Sequence, residues 1–112
     1  MNPFTKESDH ETVFVPKYRK KKLYGKFRSR VGEILRELCR QRGVELLEEH
    51  LMPDHVHMCL SVPPKYSIAF VIGFLKGKSA IKLFDMYLDL KKRYWGRHFW
   101  AKGYCVSTVG LD

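Results

Sequence analysis

From His55 to Val62 the chain alternates with a period of two. Val56, Met58, Leu60 and Val62 fall on one side; His55, His57, Cys59 and Ser61 fall on the other. Successive side chains of a β-strand point to opposite faces, so this run predicts a strand with one apolar and one polar face. Pro63-Pro64 ends it, because proline cannot donate to a strand ladder. A strand that is apolar on one side needs a layer to bury that side against. Two segments can supply it. Phe27, Val31, Ile34, Leu35 and Leu38 recur at helical spacing over roughly 25–42, with Gly43 as the C-terminal stop. Ser67 suits the N-cap of a helix running to about Leu90, whose stripe holds Ile68, Val71, Ile72, Leu75, Ile81, Phe84 and Leu88. Gly73 and Gly77 weaken that helix by ~1 kcal/mol each relative to alanine, and leave room for a backbone or ligand to come close.

Three more strands complete the pattern. His10 to Arg19 reads as a strand ending near Pro16. Val44 to Met52 reads as another, closed by a Pro53-Asp54 turn, and a last one falls between Phe99 and Val109. The order β-α-β-β-α-β predicts an α+β, ferredoxin-like (RRM-like) domain: an antiparallel sheet with two helices on one face and the other face free. At 112 residues the chain has room for one such domain, spanning 1–112. The fold is shared too widely to imply a function. It does place His55 and His57 on the free face.

Charge narrows the partners. The formal net charge is +9, and the cations come in blocks: Lys17 to Arg30, then Lys76, Lys78 and Lys82, then Lys91 to Arg97. So strong an excess favours polyanions, nucleic acid before an acidic membrane surface, although each block alone can be a solvated face. Tyr18, Tyr24, Tyr94, Trp95 and Trp100 interleave with the cations, as in proteins on which single-stranded bases stack; the cluster Tyr94, Trp95, Phe99 and Trp100 suits a core equally well. No apolar run is long enough for a membrane span, and Met1 to Ser8 has no signal-peptide core. Cys39, Cys59 and Cys105 form no C-x-x-C pair and suggest reduced thiols in a cytoplasmic protein.

The pair His55 and His57 can converge on one divalent cation, though an H-x-H by itself is often structural. Two imidazoles do not complete a site. Mg²⁺ prefers about six oxygen-rich ligands and Mn²⁺ accepts imidazole more readily, so a third protein donor is needed. Cys59 extends the series to H-x-H-x-C, which would suit Zn²⁺. Asp54 has two readings: an acceptor that orients an imidazole, or simply a turn residue after Pro53.

The run H-L-M-P-D-H-V-H (His50 to His57) resembles the His-hydrophobic-His motif of the single-tyrosine transposases of small bacterial insertion sequences, relatives associated with REP elements included. V-F-V-P-K-Y-R (Val13 to Arg19), F-L-K-G-K-S-A (Phe74 to Ala80) and W-G-R-H-F-W-A-K-G-Y-C-V-S-T-V-G (Trp95 to Gly110) resemble that family's first strand, DNA-facing helix and last core strand. The similarity runs in order from about His10 onward.

The resemblance implies an enzyme of DNA transposition that cuts and rejoins single-stranded DNA beside imperfect hairpins. A tyrosine attacks the scissile phosphate, and Mg²⁺ or Mn²⁺ on the histidine pair assists. It implies a homodimer, with His55 and His57 as metal ligands and Lys17, Arg19, Lys76, Lys78 and Lys82 as DNA contacts. In that family the nucleophile and a glutamine ligand follow the last strand in a Tyr-x-x-x-Gln arrangement. Here the sequence reaches Asp112 first, and none of Tyr18, Tyr24, Tyr66, Tyr87, Tyr94 or Tyr104 has that context. The expectation is a domain truncated before its tyrosine helix that binds DNA and cleaves it poorly or not at all. Two other classes remain: a noncatalytic single-stranded nucleic-acid-binding module on an RRM-like sheet, and a structural zinc protein.

Overall fold

The structure is a computed structural model that describes residues 9–17, 20–87, 99–103 and 105–108. Its elements run β1 (Asp9–Phe14), α1 (Lys21–Lys26), α2 (Arg28–Gln41), β2 (Glu45–Leu51), β3 (Val56–Ser61), α3 (Ile68–Met86) and β4 (Cys105–Thr108). The four strands form one sheet in the order β2-β3-β1-β4, with every adjacent pair antiparallel. This is the α+β, ferredoxin-like arrangement expected from the β-α-β-β-α-β order of predicted elements.

That alternation determines the core. Val56, Met58 and Leu60 are fully buried and Val62 nearly so. They meet Val31, Leu35 and Leu38 of α2 and Val71, Ile72, Leu75 and Leu83 of α3 in one cluster. Each such side chain contributes roughly 1.5–3 kcal/mol on leaving water. Local rules set the helix ends. The Ser67 hydroxyl accepts from the Phe70 amide at 3.0 Å, capping α3. Gly43 takes φ +65 directly after α2, a left-handed turn that a side chain would strain.

Three departures from the sequence reading have physical causes. The first helix does not start near Gly25: a short α1 precedes it, broken from α2 at Phe27. Its lysine-rich sequence lacks an acidic residue to favour a helix start, and burial of Leu23 and Tyr24 stabilises it instead. The close approach expected at Gly73 and Gly77 occurs elsewhere, since neither meets an atom within 4 Å where a Cβ would stand. It falls at Gly32, where a Cβ would collide with the Leu51 side chain as α2 crosses β2. In β2 the register slips between Leu46 and Glu48, a bulge that turns Glu48 and His50 toward the face of His57. The stretch Leu88–Leu90 of the predicted second helix lies outside the described residues.

Aromatic side chains close the end of the sheet. Phe99 and Trp100 are buried and meet edge to face at 4.8 Å, and Trp100 meets Phe14 likewise at 4.8 Å. The Trp100 indole donates to the Ser79 hydroxyl at 2.9 Å. Of the two readings of this cluster, core holds for Phe99 and Trp100; Tyr94 and Trp95 lie outside the described residues.

Candidate functional site

β3 presents His57, Cys59 and Ser61 away from the helices, and His55 precedes it in the same alternation. Across the ladder His57 faces Val13 of β1 and His50 of β2, while Cys59 faces Glu11 and Glu48. A strip of imidazoles and carboxylates therefore crosses the middle of the sheet on the face opposite the core. The His57 side chain is 22% exposed and that of His55 32%, so solvent reaches both rings.

Each imidazole has a carboxylate partner. His55 Nδ1 lies 2.7 Å from Asp54 Oδ1. This hydrogen bond holds the Asp54 carboxyl below its usual range. Asp54 thus fills both roles left open by the sequence, turn residue and partner of the ring, and its bond engages Nδ1 of His55 rather than Nε2. His57 Nε2 is hydrogen-bonded to Glu11 Oε1, reached diagonally from the neighbouring strand. The His50 ring lies parallel to that of His57, 5.5 Å between centroids, and its own Nε2 is 3.3 Å from Glu48 Oε2. Cys59 sits beneath Glu11 and Glu48; burial first, then those carboxylates, push its thiol up to about 11.

The turn that carries His55 is tied to the core. The Tyr24 hydroxyl lies 2.7 Å from the Met52 carbonyl and 2.9 Å from that of His55. Burial raises its pKa to about 12. Tyr24 is thus a buried strut whose hydroxyl is occupied by backbone carbonyls. Tyr66 stacks on Phe70 and Tyr87 packs on Phe27. Tyr18, Tyr94 and Tyr104 lie outside the described residues.

Among the described residues no three His, Cys, Asp or Glu side chains already surround one point that could hold a metal ion. The H-x-H-x-C series is not gathered into a zinc site, and the Cys59 thiol sits 4.0 Å from a Glu48 oxygen. The donors fit a harder divalent cation in kind, since imidazole and carboxylate together suit Mn²⁺ and, with water, Mg²⁺. The open face also differs from that of an RRM-like module: β1 and β3 show Glu11, Val13, His57 and Cys59 there rather than stacking aromatics.

The cations predicted to touch DNA are not one surface. At ~100° per residue Lys78 and Lys82 share a side of α3 and Lys76 lies nearly opposite. The Lys76 ammonium donates to the carbonyls of Ala101 at 2.6 Å and Gly103 at 2.7 Å, and its partial burial lowers its pKa. It clasps the segment leading into β4. Lys82 lines a groove between α2 and α3 with Arg30, Glu33, Glu37 and Asp85. Lys78 is exposed. The Lys17 backbone pairs with Phe99 at 2.9 Å, and Arg19 lies outside the described residues.

Two features escaped the sequence reading. Glu11 looked like any polar residue of a strand, and only the β1–β3 register brings it to His57. On the first turns of α3 and just before it, Tyr66, Phe70 and Phe74 stack in series, with the Arg42 guanidinium 4.5 Å from the Phe74 ring; Phe70 is 46% exposed.

Comparison with known proteins identifies the family and supports the fold. Residues 5–112 match the family model described as transposase IS200 like. The chain is 48% identical over 103 residues to the transposase for insertion sequence element IS200 of Salmonella typhimurium, covering 92% of this chain and 68% of that protein. It is 37% identical over 101 residues to the ISDra2 transposase TnpA of Deinococcus radiodurans, covering 90% of this chain and 72% of the relative. Among solved structures, a candidate transposase from Deinococcus radiodurans R1 superposes with a TM-score of 0.79 at 32% identity, over 99% of this chain and 85% of that one. A REP-associated tyrosine transposase bound to a REP hairpin superposes at 0.64 and 14% identity, over 97% of this chain and 60% of that one, a likeness of fold. By this family model and these relatives, the chain belongs to the IS200-like transposases of bacterial insertion sequences.

Proposed function

We propose that this domain handles single-stranded, hairpin-bearing DNA ends of an insertion sequence, and that the face bearing His55 and His57 is where the scissile phosphate is held. The observation that carries this reading is two part-exposed imidazoles two residues apart in one strand alternation, each with a carboxylate partner. His55 and His57 would hold Mg²⁺ or Mn²⁺, which when bound supplies Lewis-acid polarisation of a phosphate oxygen.

The chain's own groups do the rest. Asp54 and Tyr24 fix the ring of His55 and the turn beneath it. Lys17, Arg19, Lys78 and Lys82 supply cationic contacts to the phosphate backbone, which position DNA without reading its sequence. Lys76, also expected there, contributes by holding the 101–103 segment in place. The stacked Tyr66–Phe70–Phe74 face, with Arg42 beside it, offers unpaired bases a platform. Assembly as a homodimer is part of the same reading, as is binding without strand cleavage by the polypeptide of residues 1–112, in which the hydroxyl of Tyr24 is held on two backbone carbonyls.

The test uses a labelled single-stranded oligonucleotide carrying an imperfect hairpin from an insertion-sequence end, with Mn²⁺. Binding should be tighter than to the same composition without a hairpin, and denaturing gels should show no protein–DNA adduct. A tyrosine-linked adduct would disprove the binding-only reading. Equal affinity for both oligonucleotides would remove the hairpin.

A further inference from the structure

We infer that Glu11 is a protein ligand of the divalent cation, contributed by β1 to the site that His55 and His57 begin on β3. This rests on the reading of His57 as a metal ligand and names a donor that reading did not contain.

The argument starts from register. β1 and β3 are antiparallel, with Glu11 opposite Cys59 and Val13 opposite His57. A side chain two positions along the neighbouring strand is within diagonal reach, so Glu11 can extend to His57 while the short Val13 leaves the way clear. It does so: Glu11 Oε1 is hydrogen-bonded to His57 Nε2. That nitrogen is the outer edge of the ring. Nδ1 lies next to Cβ and therefore close to the strand, while His50 stacks parallel to the flank at 5.5 Å. A cation approaching from solvent meets the Nε2 edge, where the carboxylate already stands.

Spacing permits the exchange. Imidazole and carboxylate bind divalent ions at about 2.0–2.2 Å, so two adjacent ligands of one ion sit about 3 Å apart. This is close to ordinary hydrogen-bond separation. A cation can therefore take the place of the proton between Nε2 and Oε1 with little movement of either side chain. His55 has to turn its Nε2 toward the same ion, because among the described residues no three such donors surround one point beforehand. The alternatives on this face are weaker. The His50 ring is stacked parallel to His57, an arrangement that does not aim both nitrogens at one point. Glu48 lies beside His50 and Cys59 instead. The resulting donors, two imidazoles and one carboxylate, are a set that Mn²⁺ and Fe²⁺ accept.

Mn²⁺ binding to the tag-free chain, read by the loss of the free-ion electron paramagnetic resonance signal, tests this in four proteins: the parent, Glu11→Gln, His57→Ala and Glu33→Gln. The expected result is at least tenfold weaker binding for Glu11→Gln and His57→Ala, and less than a twofold change for Glu33→Gln, which lies on α2. Glu11→Gln binding as tightly as the parent, or more tightly, overturns the inference: the carboxylate would then be only a hydrogen-bond partner that competes with the ion. An intact affinity in His57→Ala, or no binding by the parent, defeats the underlying metal reading instead. A second measurement needs no variant. In protein labelled with ¹³C at glutamate carboxyls, substoichiometric Mn²⁺ should broaden the Glu11 resonance before that of Glu45. Simultaneous broadening of both, or none, would count against direct ligation.

Discussion

Lys76 separates two explanations of a basic helix, and Lys76→Met is the perturbation that tells them apart. Methionine keeps the unbranched stem and its packing but removes the ammonium, leaving the carbonyls of Ala101 and Gly103 without their donor. Hydrogen bonds to a charged group contribute roughly 1.5–3 kcal/mol each. Two of them set an upper figure near 6 kcal/mol, from which the desolvation of a half-buried ammonium must be subtracted. That penalty is real, since burial is what lowers the Lys76 pKa. A net loss of about 2–3 kcal/mol is expected, which for a domain of this size lowers the melting temperature by about 10–15 °C. The assay pairs thermal unfolding with the salt dependence of single-stranded DNA binding. Lys76→Met should melt early and, at temperatures where it is folded, keep the parental salt slope. Lys78→Met should melt normally and lose about 0.7 from the slope, the value of one phosphate contact on a single strand. If Lys76→Met melts within 2 °C of the parent and sheds the slope instead, the clasp is decorative and the residue is a DNA contact.

Other expectations follow from single groups. Tyr24→Phe should cost about 1 kcal/mol and speed amide exchange around Met52 to His55, measured by hydrogen exchange, because the hydroxyl bridges both carbonyls. In the parent, the Tyr24 acid is weakened in the folded state, from 10.0 to about 12, so the unfolded chain gives up this proton first. Its contribution to stability is therefore intact below pH 10 and falls as pH rises from 10 toward 12; a flat alkaline stability curve for the parent, no different from Tyr24→Phe, would contradict this. Ser67→Ala should destabilise by about 1 kcal/mol in denaturant melts through loss of the α3 cap. Cys59 should react slowly with a thiol reagent at pH 8, since its ionisation is displaced to about 11, and labelling as fast as a free thiol would show the strip more open than described.

What could be read from the sequence was whatever a short stretch decides for itself. The face of β3 followed from alternation, the start of α3 from a serine, the end of α2 from a glycine. Where distant residues decide, the sequence pattern pointed elsewhere. Lysine-rich α1 exists because Leu23 and Tyr24 are buried, although its local sequence carries no helix-starting signal. Lys76 has the same composition around it as Lys78, and only the return of the 99–103 segment against α3 commits one of them to a backbone clasp. The histidine pair was visible because His57 on β3 and His55 just before it share one alternation, two residues apart. Its carboxylate was not, because Glu11 is 46 residues away from His57 in the chain and meets it through strand register. A bulge in β2 likewise decides that His50 and Glu48 join the strip. The donors that share a strand were therefore legible, and those supplied by its neighbours were not. Moving the β1 register by one residue would turn Glu11 into the core and present Thr12 in its place, with the H-x-H sequence untouched. The motif names the strand, and the pairing of strands makes the site.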